Sequence, residues 1–237
     1  MKYPGVFITG TDTGVGKTIV SAALARTLLN RGIDVGVMKP VETGCAVGPK
    51  GLIPTDAEFL IKAAHAKDTK SLITPYPMKA PVAPCEAAEL EGVEVNEEYL
   101  LDCYRQLKQK HDFMIVEGAG GVMVPIYRRF LVSDLIQLLD LPIILVARPN
   151  LGTINHSLLS IRYTQELGIN VLGFIINRRN EEIHVAEEKS PMIIEKLSGV
   201  PFLGTKPYIQ DSLLDEEFIE QSAGFFSELI KLDALGL

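Results

Sequence analysis

Short apolar runs alternate with longer amphipathic stretches along the chain. The first run, Val6-Phe7-Ile8, ends at Thr9-Gly10. A helical period follows from about Thr18 to Asn30, apolar at Ile19, Ala22, Ala23, Leu28 and Leu29, with Gly32 as its stop. The second run, Val35 to Val41, gives way to the polar Glu42-Thr43-Gly44. Further runs are Phe113 to Val116, Ile143 to Ala147 and Val171 to Ile176. Each is rich in β-branched residues and apolar on both faces, as strands buried inside a parallel sheet must be. Helical patterns lie between and after them, at Asn96 to Lys110, Ser133 to Leu139, Ile154 to Leu167 and roughly Val185 to Leu197. This alternation predicts an α/β fold, a single-domain doubly wound parallel sheet over residues 1–237 with helices on both faces. Ligands of such sheets bind beyond the C-terminal ends of the strands.

Two segments break the rhythm. Pro75 to Pro84 holds four prolines, which excludes a regular helix or a central strand and predicts an ordered loop or a lid. Leu213 to Leu232 reads as an acidic helix. It lacks a basic face, so it is expected to dock on the domain and not on a membrane.

Composition narrows the class. Of 237 residues, 47% are hydrophobic and 22% charged, the balance of a soluble globular protein. The net charge of −7 disfavours nonspecific attraction to nucleic acid or anionic lipid. Cys45, Cys85 and Cys103 are odd in number and widely spaced, which predicts free thiols in a reducing compartment. The N-terminus lacks the succession of regions that makes a signal peptide. No apolar run approaches the ~20 residues that span a bilayer. A cytoplasmic protein is expected.

The candidate chemistry begins at Gly10-Thr11-Asp12-Thr13-Gly14-Val15-Gly16-Lys17-Thr18, between the first strand and the first helix. Backbone N–H groups of a glycine-rich turn and the positive helix end can hold a triphosphate. Lys17 would reach its terminal phosphates and the Thr18 hydroxyl a Mg²⁺ ion. The spacing departs from the strict phosphate-loop pattern, since Gly10 stands one residue early, but Gly-Lys-Thr at a strand–helix junction carries the reading. Glu117 closes the strand Phe113 to Val116, where a metal-binding acid would sit, with glycines at 118, 120 and 121. Asp56, in Pro54-Thr55-Asp56-Ala57, reads from its neighbours alone as an N-cap.

Four segments together resemble dethiobiotin synthetase. They are the phosphate loop, Lys39-Pro40-Val41-Glu42-Thr43-Gly44, Val116-Glu117-Gly118-Ala119-Gly120-Gly121, and Leu151-Gly152-Thr153-Ile154-Asn155-His156. The resemblance implies that 7,8-diaminononanoate, CO₂ (or bicarbonate) and ATP give dethiobiotin, ADP and phosphate. Mg²⁺ is its implied cofactor, held by Thr18, Asp56 and Glu117. It makes Lys39 and Lys17 catalytic. Gly14, Val15, Gly16, Ile19, Gly118, Ala119 and Gly120 fall to the nucleotide, and Asn177, Pro207, Tyr208 and Ile209 to its base. Thr43 contacts substrate. Leu151, Gly152, Thr153 and Asn155 bind the substrate carboxylate from the neighbouring subunit of a homodimer.

Two rivals share this fold. Amide-forming ATP enzymes of cobalamin synthesis carry a glutaminase domain, for which the chain has no room. Partitioning and positioning ATPases of the ParA/MinD kind place a signature lysine early in the loop, where this chain has Thr11-Asp12-Thr13.

Overall fold

The computed structural model describes residues 2–181, 186–210, 215–232 and 236. From its start, β1 (Gly5–Gly10) leads through the glycine-rich turn into α1 (Lys17–Asn30) and back to β2 (Val35–Met38). Short elements follow. These are β3 (Val41–Glu42), the hairpin of β4 (Ala46–Gly48) and β5 (Gly51–Ile53), α2 (Thr55–Ala64), α3 (Lys70–Ile73), β6 (Tyr76–Pro77) and α4 (Pro84–Glu91). Next come α5 (Glu97–Lys108), the long β7 (Phe113–Gly121), a second hairpin of β8 (Pro125–Tyr127) and β9 (Phe130–Leu131), and α6 (Val132–Leu139). The remainder is β10 (Ile143–Ala147), α7 (Thr153–Glu166), β11 (Val171–Asn177), α8 (Ala186–Ser198), β12 (Phe202–Lys206) and α9 (Glu216–Leu229).

The main sheet has the order β12-β11-β10-β1-β7-β2, with every pairing parallel. All residues of β1, β2, β10 and β11 are buried, which is why these segments show no polar alternation. From β1 the chain crosses toward β2, and from β7 it crosses the other way to β10. This reversal opens a crevice beyond the C-terminal ends of β1 and β7.

Three local departures from the sequence pattern shape that crevice. The run Val35 to Val41 is not one strand. β2 stops at Met38, Pro40 has no N–H to offer a ladder, and Val41–Glu42 pairs instead with Tyr76–Pro77 in a separate two-stranded sheet. β7 runs past Glu117 through its glycines, and a register shift after Ile8 brings Gly121 beside Gly10. The proline-rich segment contributes only that short side strand and ends at Pro84, the first residue of α4, where its missing N–H is no loss.

The helices follow the predicted periods, with α2 longer than its hint and α3 and α4 unannounced. Val185, where one helix was expected to start, and Leu213 and Leu214, where another was, lie outside the described residues. As expected from its acidic face, α9 docks on the domain, with Phe218 6.3 Å from Phe59. The docking is fastened by Arg26 of α1, a buried guanidinium. It donates to Ala63 O (2.9 Å) and Lys62 O (3.1 Å) at the end of α2, and pairs with Glu216 (2.5 Å) and Glu220 of α9. A charge so placed is tolerable only because it is paired and hydrogen-bonded.

Candidate active site

The glycine-rich turn fits tightly against β11. Gly16 has φ +92°, and a Cβ there would lie 2.0 Å from Asn177 Nδ2, which itself donates to Val15 O at 2.8 Å. No side chain caps α1, so its first N–H groups face the crevice, available to an anion. Lys17 curls over the turn and donates to Asp12 O at 3.1 Å. Burial, and then the nearby Lys39 charge, pull its ammonium down to about 8.

Lys39 enters from the end of β2, where its N–H donates to Ile73 O at 2.7 Å. Its Nζ lies 2.5 Å from Glu117 Oε1 and 2.9 Å from Asp56 Oδ2. Burial alone would lower the Lys39 pKa, but Glu117 and Asp56 more than offset it and hold it above the usual lysine value. The converse holds at Asp56, where burial would raise the pKa and Lys39 draws it below the carboxylate range. Thr18 Oγ1 donates to Glu117 Oε1 at 2.8 Å. The other oxygen of Glu117 is buried without a hydrogen-bond partner.

Thr18, Asp56 and Glu117 thus meet at one point, and an orphaned carboxylate oxygen is among their atoms. A hydroxyl and two carboxylates are hard oxygen donors, the kind Mg²⁺ takes alongside phosphate and water. Among the described residues no three His, Cys, Asp or Glu side chains gather to form a fuller cage. The donor set therefore fits a Mg²⁺–nucleotide complex better than an all-protein metal site.

Asp56 is not an N-cap. That place falls to Pro54, which has no side chain able to cap. Glu42 does the capping from β3, its two oxygens accepting from Asp56 N and Ala57 N, each at 2.9 Å. The sequence motif contains Glu42, but nothing in it announces this role. The only signal was a helix start at proline that must find its acceptor elsewhere. Arg179, just past β11, is a second residue the sequence did not single out. Its Nη1 donates to Gly14 O at 2.5 Å.

These groups line a cleft of about 770 Å³. Of the expected residues, Gly14, Gly16, Lys17, Thr18 and Ile19 line it, as do Lys39, Thr43, Asp56, Glu117, Ala119 and Gly120, together with Pro81 to Pro84. Val15 and Asn177 are buried behind the loop, and Gly118 carries the carbonyl 3.4 Å from Lys39 Nζ. Pro207, Tyr208 and Ile209 follow β12, whose Lys206 pairs with Asn177 in register. Leu151, Gly152, Thr153 and Asn155 do not line the cleft of their own chain. Leu151 is 96% exposed, Gly152 stands at the N-cap of α7 with no side chain to cap it, and Thr153 Oγ1 is buried without a partner.

With this geometry in view, comparison with known proteins is informative. A family model described as an AAA domain matches residues 4–214. The chain is 43% identical to an ATP-dependent dethiobiotin synthetase BioD of Bacillus licheniformis, over 88% of this chain and 87% of that one. It is 40% identical to that of Thermodesulfovibrio yellowstonii (92% and 94% covered) and 42% identical to that of Methanocaldococcus jannaschii (90% and 99%). Among solved structures, a ParA family ATPase from Chlorobium tepidum superposes with a TM-score of 0.54 at 18% identity, covering 98% of this chain and 99% of that one. A MinC:MinD cell division complex of Aquifex aeolicus gives 0.53 at 17%, covering 92% and 86%. At such identities the structural likeness speaks for the phosphate-loop α/β fold alone.

Proposed function

We infer the working of this site from the family to which the chain belongs, the ATP-dependent dethiobiotin synthetases, and from the geometry of its own cleft. The enzyme is an ATP-dependent ligase of biotin biosynthesis, and residues 1–237 act as one synthetase domain. The observation that carries the reading is identity of about 40% over nearly the whole chain, joined to the meeting of Lys39, Asp56, Glu117 and Thr18 beside the phosphate loop.

The reaction is mostly positioning and charge control, because the substrate brings its own nucleophiles. One amine of 7,8-diaminononanoate takes up CO₂ as a carbamate. A carbamate oxygen attacks the γ-phosphorus of ATP and ADP leaves. The second amine then attacks the carbonyl carbon of the carbamic–phosphoric anhydride, and phosphate departs as the cyclic urea closes. Lys17 and the N–H groups at the start of α1 hold the terminal phosphates. Lys39, held at the cleft by its two carboxylates, neutralises charge on the carbamate and the moving phosphoryl group. Thr43 contacts the substrate. Asn177 and the segment Pro207 to Ile209 lie toward the base. Thr18, Asp56 and Glu117 would hold Mg²⁺, which when bound supplies a divalent charge to the phosphate oxygens.

The chain works as a homodimer with shared sites. Leu151, Gly152, Thr153 and Asn155, with Leu151 and Asn155 exposed and Thr153 buried at the start of α7, contact the substrate carboxylate in the partner subunit. Free thiols at Cys45, Cys85 and Cys103 suit a cytoplasmic enzyme. Mass spectrometry of the purified chain with diamine, bicarbonate and ATP tests the reaction. A cyclic urea that needs all three components is expected, whereas ATP turnover indifferent to the diamine would mark a switch ATPase.

A further inference from the structure

The turn after β11 carries Arg179 over the rim of the phosphate loop. Its Nη1 donates to the Gly14 carbonyl at 2.5 Å, and its side chain lines the cleft together with Lys17 and Thr18. That carbonyl is neutral and engages one nitrogen of a guanidinium that has five donors. Asp12, the acid of the loop, is paired with Arg148 at 2.5 Å. Among the described residues no ion pair joins a carboxylate to Arg179, whose charged guanidinium lines the cleft. Gly14 has φ +72°, and a Cβ there would lie 3.3 Å from Nη1, close enough that the guanidinium would shift by a few tenths of an ångström.

We propose that Arg179 is a ligand of the terminal phosphates of the nucleotide. A guanidinium fork matches phosphate oxygens two at a time, and a charge-assisted bond outranks the neutral one to Gly14. On nucleotide binding the fork closes on the β- and γ-phosphates, while Gly14 O keeps it aimed. The proposal rests on the nucleotide reading of the cleft and adds to it a residue from outside the loop.

The test is binding of ATP and AMP, by calorimetry in the presence of Mg²⁺, to the parent chain and to Arg179→Ala and Arg179→Gln. Arg179 is exposed, so both variants keep the core. Arg179→Ala is expected to weaken ATP binding by about ten- to a hundredfold, the span of a hydrogen bond to a charged group, and AMP binding by less than about threefold. Glutamine can still donate to Gly14 O but carries no charge, so Arg179→Gln should be as weak as alanine. The proposal is overturned if Arg179→Ala binds ATP as the parent does, if ATP and AMP lose equally, or if glutamine restores full affinity. The last result would make Arg179 a brace for the loop. A parent chain that binds neither nucleotide would instead defeat the reading of the cleft itself.

Discussion

Glu42 sets the position of Asp56 through the backbone and not through its side chain. One carboxylate oxygen accepts from Asp56 N and the other from Ala57 N, both at 2.9 Å. The start of α2, and with it the Asp56 carboxylate, is thereby tied to the strand that follows Lys39. Lys39 in turn reaches Asp56 Oδ2, which closes a loop of contacts from β3 through α2 to the end of β2.

Glu42→Gln should loosen this arrangement. Glutamine has one acceptor oxygen, so one of the two N–H groups loses its cap. A lost cap costs about 1 kcal/mol, which for a chain this size lowers Tm by about 2–4 °C. The displaced carboxylate should depress kcat/KM by about ten- to a hundredfold and raise the Mg²⁺ concentration needed for half-maximal ATP binding. Thermal melts and Mg²⁺ titrations of nucleotide binding, read with steady-state rates, check this. A variant that melts lower but keeps the parent's Mg²⁺ dependence would leave Glu42 a purely structural residue.

The two lysines should fail differently. Lys39→Ala removes the charge proposed for the carbamate and should lower kcat by roughly two to four decades, the scale of one preorganised donor, with a smaller change in ATP affinity. Lys17→Ala should lose triphosphate turnover outright, while Thr18→Val and Glu117→Gln weaken Mg²⁺-dependent binding. Calorimetry with ATP distinguishes them, and equal loss of ATP affinity in both lysine variants would end the division of labour.

A pH effect is expected far from the cleft. His111 lies between Asp34 (Nδ1, 2.9 Å) and Asp68 (Nε2, 2.8 Å), and Lys110 also pairs with Asp68 at 3.0 Å. Burial would lower the His111 pKa, but the two carboxylates raise it above 6.5. A raised value stabilises the folded state below the unfolded pKa, and that contribution is lost as pH climbs through the folded one. Asp68, held below its ordinary 3.8 by Lys110 and His111 against the effect of burial, adds stability that is lost only in acid. Urea midpoints should therefore fall as pH rises above the ordinary histidine value of about 6.5. His111→Gln should flatten that slope, and an unchanged slope would show that the pairing contributes nothing measurable.

The shared site has its own test. Lys39→Ala chains are mixed with chains disabled at the start of α7, for example Thr153→Pro with Asn155→Asp, after both are shown to fold and dimerise. A mixed dimer has one site with both defects and one with neither, so activity should return on subunit exchange. Verified mixed dimers as inactive as either parent would place the carboxylate site within one chain.

The strands β1, β7, β10 and β11 were legible because a strand covered on both faces has no polar alternation to mask it. The gathering of Lys17, Thr18 and Glu117 at one cleft was legible because each stands at a strand end or a helix start, where sequence position and spatial position coincide. Asp56 was harder. Its neighbours read as a helix cap, whereas the structure puts Pro54 in that place and sets the Asp56 carboxylate 2.9 Å from Lys39 Nζ. Glu42 and Arg179 could not be found in this way. Their partners are backbone atoms 14 and 165 residues away, and a backbone acceptor leaves no mark in a sequence. The break in Val35 to Val41 was visible as Pro40, but the place Val41 goes instead depends on Tyr76, which local pattern does not connect to it.

The buried Arg26 also orders the birth of the protein. Its acid Glu216 comes 190 residues later. At about 5–20 residues per second, a ribosome needs roughly ten to forty seconds to deliver it. Throughout that interval the Arg26 guanidinium lacks the two acids it pairs with in the fold, and hydration competes with its burial. The phosphate loop is thus among the first segments synthesised, while the two acids that pair with the helix behind it are among the last.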